Sequence, residues 1–225
     1  MIVRGSKRIT LARPGTAVVI DGFPRSGNTF SVAAFVISNG REVHIGRHLH
    51  GAPHVLRAVR LGLPTIVLIR HPADAVSSYL LRRPALTPDD ALLEYLDFYR
   101  TAWHAHDGFV VGLFDQVVTD FGTVVRRVNR HFGTSFVPYE PTEENEAAAF
   151  GLVEEMNRLE CRGEIIETHV GRPSPHRAQR KTQIRLTEQP RTLALLRQAE
   201  ELYDRYAALD ASASDPSRNP FGCGT

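Results

Sequence analysis

Cysteine is nearly absent from this chain. Cys161 and Cys223 are the two among 225 residues, and their separation suggests neither a disulfide framework nor a cysteine-based metal site. No apolar run reaches the 18 or so residues that a membrane-spanning helix needs, and Met1 to Arg8 lack the apolar stretch of a secretory signal. Charge of one sign is missing too. Lys+Arg number 27 against 25 Asp+Glu, a net charge of +2, which gives no mandate for nucleic acid. No internal repeat is visible. With 42% hydrophobic and 23% charged residues, disordered and collagen-like chains are excluded. A soluble, cytoplasmic protein is expected, with one domain over residues 1–209 and a disordered Ser/Asp/Pro/Gly-rich tail over 210–225.

What is present is an alternation of short apolar runs and helical patterns. Strands are predicted at Ala17–Ile20, Val43–His48, Thr65–Ile69 and Phe109–Phe114. The third is β-branched and continuously apolar, as a strand covered on both faces should be. Helices are predicted at Thr29–Ser38, Ala52–Leu61, Ala73–Arg82, Thr87 to about Ala105, and Thr119–Phe132. The fourth has a capping residue at Thr87, proline next and acids in its first turn. Glu143–Leu159 and Glu188–Leu209 extend the pattern into a helical last third, with Thr187 as the cap of the final helix. The fold class that follows is α/β, a parallel sheet flanked by helices with a helical C-terminal part.

The loop after the first strand carries the chemistry. Gly22 and Gly27 bracket four residues, and Thr29 supplies a hydroxyl, nearly the spacing of a phosphate-binding P-loop. The lysine that a nucleoside triphosphatase needs after the second glycine is replaced by Asn28, and the cation stands earlier, at Arg25. Backbone N–H groups at a helix N-terminus favour an anion, and Ser26, Asn28 and Thr29 add side-chain donors. A second candidate follows the third strand, where Arg70 projects from the carboxyl end and Ser78 lies two turns into the next helix. His44, His48 and His50 fall on one face at strand spacing, which would also suit a zinc site, although only Glu42 stands nearby as a further ligand.

Together these segments resemble the sulfotransferases that use 3′-phosphoadenosine 5′-phosphosulfate (PAPS). Pro24-Arg25-Ser26-Gly27-Asn28-Thr29, with Phe30 behind it, is similar to that family's loop for the 5′-phosphosulfate. Arg70, Pro72 and Ser78 have the spacing of its 3′-phosphate motif, with His71 in place of the usual Asn or Asp. His48 stands where the family keeps its catalytic histidine, with His50 the second choice. Gly112–Val118 and the helix to Gly133 are similar to a further strand and helix of the family. The likeness covers about residues 16–135 and fades beyond, where the family's C-terminal glycine-rich element is not recognisable. The basic stretch Gly171–Lys181 takes its place, with Arg177, Arg180 and Lys181 as candidate cofactor contacts.

The resemblance implies a P-loop-like sulfotransferase fold and transfer of a sulfuryl group from PAPS to a hydroxyl or amine of a small-molecule or carbohydrate acceptor, with no metal required. Arg25 would stabilise charge on the departing phosphate and His48 would take the acceptor's proton. Two other functions stay open on the residues: a degenerate P-loop kinase or NTPase, and a non-catalytic nucleotide-binding module. The helix carrying Tyr95, Phe98, Tyr99 and Trp103 either lines an acceptor cleft or is core.

Overall fold

The computed structural model of the chain describes residues 10–164, 166, 169, 171, 175–181, 183–186 and 188–213, without the side chains of 176, 177, 212 and 213. Four parallel strands, β1 (Val18–Gly22), β2 (Ile45–Arg47), β3 (Thr65–Ile69) and β4 (Val110–Leu113), form one sheet in the order β2-β1-β3-β4. Each crossover is helical: α1 (Asn28–Asn39), α2 (Ala52–Arg60), then α3 (Pro72–Arg82) with α4 (Pro88–Trp103). After β4 come α5 (Phe114–Phe132), α6 (Glu143–Glu160), the short α7 (Pro175–Lys181) and α8 (Pro190–Ala213).

Strand alternation divides the core in two. Val18, Ile20, Ile66, Leu68 and Val110 face α1, α5 and α6, and Val67, Ile69 and Val111 face α3, α4 and α8. The strands therefore read as unbroken apolar runs, because helices cover both faces. β1 is followed by a helix on one face and β3 by a helix on the other. The crevice between their carboxyl ends is where such sheets bind ligands.

The expected elements are present, with shifted boundaries. β3 matches its expected bounds, and α4 begins with a capping box in which Thr87 and Asp90 exchange side-chain and backbone hydrogen bonds. The fourth strand stops at Leu113 because Phe114 already starts α5. That helix breaks at Asp120, whose carboxylate accepts from the Thr123 amide at 3.0 Å and caps a second segment. The second strand ends at Arg47: His48 and His50 have φ of 59° and 51°, left-handed values that leave the pleat. The expected common strand face of His44, His48 and His50 is thereby lost.

At the other end of the chain, α8 continues past Leu209 to Ala213. Asp210, placed by the sequence in the tail, is buried and paired with the buried Arg127, which also donates to Val111 O at 3.1 Å and to Gln116 Oε1 at 2.6 Å. Thr187 and the tail from residue 214 lie outside the described residues. Among the described residues, no helix is long and apolar enough to cross a membrane.

Gly22 is a steric requirement of the sheet. A Cβ there would sit inside contact distance of the Leu68 carbonyl oxygen, a backbone atom that cannot swing away. Gly22→Ala is expected to lower the unfolding free energy by about 3 kcal/mol, readable as a reduced urea midpoint with an unchanged slope. A midpoint equal to wild type would show that the two strands can part at no cost.

Candidate functional site

The loop from Phe23 to Gly27 is held from below. Arg25 and Gly27 adopt left-handed φ of 71° and 91°, the first of them unusual for a side chain of that size. Ser26 N donates to Phe23 O at 3.3 Å, closing a tight turn. The Tyr99 hydroxyl accepts from Phe23 N at 3.3 Å, lies 3.3 Å from Ser26 Oγ, and donates to Leu68 O at 2.7 Å. Burial pushes the Tyr99 phenol far above its usual range, so it remains protonated and able to donate.

The polar side chains of the loop thus divide their work. Ser26 is fully buried and turned to Tyr99, and the Asn28 amide donates to Phe23 O at 3.0 Å. Both brace the turn; the donors expected of them toward a ligand are spent inside the loop. The anion-facing groups are the backbone of the first turn of α1 and the Arg25 guanidinium. That helix start has no side-chain cap and no acid in its first turn, so its N–H groups are left for a ligand. Pro24, Thr29 and Phe30 reach the cleft edge, and Phe30 packs against Tyr139 and Phe150 at ring separations of 6.1 and 5.7 Å.

Arg25 and Ser78, assigned by the sequence to separate anion motifs, meet directly: Arg25 Nε donates to Ser78 Oγ at 3.0 Å. Arg70 donates to Arg25 O at 3.4 Å and lays its guanidinium on the Phe114 ring, 3.8 Å from the centroid. Its Nε is buried with no hydrogen-bond partner. Burial lowers the Arg70 pKa, against the pull of Asp74 and Asp115. Lys181, on α7, reaches the same place through a 3.1 Å bond to Asp74. Its pKa is lowered by burial and by the charges of Arg70 and Arg25, against the pull of Asp74.

His169 and Gly171 lie against the loop. Arg25 Nη1 donates to His169 O at 3.2 Å, and Gly171 lies against Thr29 closely enough that a Cβ would come within 3.3 Å. The Arg177 side chain lies outside the described residues. His71, which replaces an Asn or Asp in the motif, faces away toward Tyr203 and Glu200.

The histidines are organised by a residue the sequence did not single out. Asp21, wholly buried in β1, accepts from Gly22 N at 3.0 Å, Leu49 N at 3.1 Å and His50 N at 3.2 Å. His54 Nδ1 donates to it at 2.7 Å and accepts in turn, through Nε2, from Ala12 N at 3.0 Å, which fixes its tautomer. Burial would raise the Asp21 carboxyl, but the bonds and charges of His50 and His54 hold it far below the usual carboxylate range. His50 Nδ1 lies 2.8 Å from Gly22 O, an acceptor, so the proton sits on Nδ1 and Nε2 keeps the lone pair. His48 and His50 stack at 5.6 Å with a 22° tilt.

His44 is elsewhere, bonded to Thr16 at 3.2 Å, and among the described residues no group of three His, Cys, Asp or Glu converges as a metal site. Of the α4 aromatics, Tyr95 and Tyr99 are core and Phe98 edges the cleft.

Arg25, Arg70, Ser78, Lys181, His48 and His50 open on one cleft of about 1530 Å³, larger than the ~300–1,000 Å³ usual for a single ligand. Its lining includes Arg25, Arg70, Ser78 and Lys181, and also Arg47, Leu49, Phe98 and residues of α6 from Phe150 to Glu160. A strand-end acid could have flagged Asp21, but nothing local distinguishes it from an ordinary turn residue.

Asp21→Asn removes the charge and turns one of the two accepting oxygens into a donor that faces other donors. Asp21→Asn is expected to cost about 3 kcal/mol, as removing one partner of a buried ionic cluster does. Because the folded-state carboxyl is depressed, its stabilisation is present above about pH 4 and lost as pH falls below that. The acid limb of the wild-type stability curve should therefore be shallower in the variant; parallel limbs would deny the Asp21 carboxylate this role.

No protein-family model, curated protein or solved structure matches this chain, so the geometry of the cleft alone bears on what it does.

Proposed function

We propose that the protein is a PAPS-dependent sulfotransferase, transferring a sulfuryl group to a hydroxyl or amine of a small-molecule or carbohydrate acceptor, on a P-loop-like sulfotransferase fold. The observation that carries this reading is the pairing of Arg25 with Ser78, with Arg70 against the Arg25 carbonyl, across the crevice between β1 and β3. Two anion positions are thus joined side by side. Three cations, Arg25, Arg70 and Lys181, gather there, with Asp74 bonded to Lys181 and 3.9 Å from Arg70. The buried, unpartnered Arg70 Nε fits a ligand bearing more than one phosphate-type group.

PAPS, when bound, supplies the activated sulfuryl group and a phosphate leaving group. Arg25 and the first-turn amides of α1 would hold the 5′ end, and Arg70, Ser78 and Lys181 the 3′-phosphate. The protein's own part is positioning and charge neutralisation. His50 is poised to take the acceptor's proton at Nε2, since Gly22 O and Asp21 hold the other nitrogen. Motif spacing favours His48 for that role; tautomer geometry favours His50, with His48 stacked behind it. The kinase reading is weakened by Asn28, whose amide is committed to Phe23 O.

Adenosine 3′,5′-bisphosphate (PAP) should raise the melting temperature strongly, and ATP and GTP weakly. Preference for ATP would overturn the cofactor assignment. Ser78→Ala should weaken PAP about tenfold, a loss of the order of one charge-assisted hydrogen bond. With PAPS and an acceptor panel, His50→Ala should reduce turnover about 10²–10⁴-fold with PAP affinity unchanged. A larger loss in His48→Ala would return the proton to His48, and turnover by neither wild type nor variants would leave a binding module.

A further inference from the structure

Arg47 ends β2 next to His48, on the same face of the strand as Ile45, beneath α6. It is 8% exposed, and among the described residues its side chain's one polar contact is the Met156 thioether, 3.9 Å from Nη1. No carboxylate lies within ion-pair distance of it among the described residues. Of the other buried or half-buried arginines, Arg127 is paired with Asp210 and Arg82 with Glu160, and Arg70 has Asp74 at 3.9 Å. Glu155, the acid beside Met156, is taken by the exposed Arg41 at 3.6 Å. Burial lowers the Arg47 pKa with no opposing acid. A guanidinium kept out of water without a counter-charge is costly, and a fold keeps one where a ligand brings the charge.

The position separates this cation from the nucleotide groups. β2 is the edge strand, whereas Arg25, Arg70 and Ser78 gather at the ends of β1 and β3. The cleft lining on this side includes the apolar side chains of Leu49, Phe150, Val153 and Met156, with Glu155 paired to Arg41. We propose that Arg47 binds an anionic group of carboxylate type on the acceptor, whose remaining body is apolar and lies along α6. The word acceptor rests on the sulfotransferase reading; the anion site itself does not.

The test compares hydroxy acids with their neutral amides: 4-hydroxybenzoate, 4-hydroxyphenylacetate and 12-hydroxydodecanoate, each by calorimetry on the full chain, with and without PAP. At least one acid should bind tenfold more tightly than its amide, and Arg47→Met should abolish that difference while PAP affinity stays within twofold. Arg47→Lys, retaining the charge, should keep part of the preference. Ligand-free Arg47→Met should melt at or above the wild-type temperature, because an unbalanced buried charge has gone. No acid preference in any pair, a tenfold loss of PAP affinity in Arg47→Met, or a fall in its melting temperature beyond about 5 °C each overturns the proposal. Should wild type fail to bind PAP, the sulfotransferase reading falls, and the acid–amide comparison without nucleotide still decides the anion site.

Discussion

A single carboxylate inside the sheet sets the geometry around it. Asp21 is a residue of β1, yet it hydrogen-bonds the backbone of Leu49 and His50, both beyond the end of β2, and the imidazole of His54 on α2. An ionised carboxylate suits this place because it only accepts, and every group facing it donates. The segment it holds carries two left-handed residues, His48 and His50, a conformation that a bulky side chain adopts at a cost of about 1–2 kcal/mol each. Asp21 offsets that strain and converts a connecting loop into a rigid rim for the cleft.

The arginines of the protein serve two purposes, and burial separates them less well than pairing does. Arg127 is spent on structure: it joins β4, α5 and the last turn of α8 through Val111, Gln116 and Asp210. Arg82 ties α3 to α6 through Glu160. Arg25, Arg70 and Arg47 instead line the cleft. An excess of positive charge held in a partly dry crevice favours polyanionic ligands and is weakened by salt less than a surface patch would be.

Much of the architecture was legible because it is written locally. The β3 run Thr65–Ile69, the capping pair Thr87 and Asp90, and the terminating Gly133 signal their roles within a few residues. The sequence placed Arg25 in one motif and Arg70 with Ser78 in another, and the structure brings Arg25 and Ser78 into contact. What could not be read depends on distant partners. Asp21 and Tyr99 look like a strand acid and a core aromatic until the backbone groups they serve are known. The strand expected through His48 failed because tertiary hydrogen bonds turned the chain at Arg47, overriding a β-favourable pattern. Ser26 and Asn28, chosen as ligand donors for their chemistry, proved to be committed to the loop itself.

The tyrosines carry a dependence that runs against chain order. The Tyr206 hydroxyl on α8 donates to the carbonyl of Tyr99, 107 residues earlier, and the Tyr99 hydroxyl lies against Ser26 of the loop, a further 73 residues back. Their rings meet edge to face at 5.2 Å. A chain emerging from the ribosome makes β1 and the loop first, but the floor beneath them arrives with α4 and is clamped only by α8. The loop therefore acquires its shape late in synthesis, and a nascent chain short of α8 would hold its strands before the loop above them is fixed.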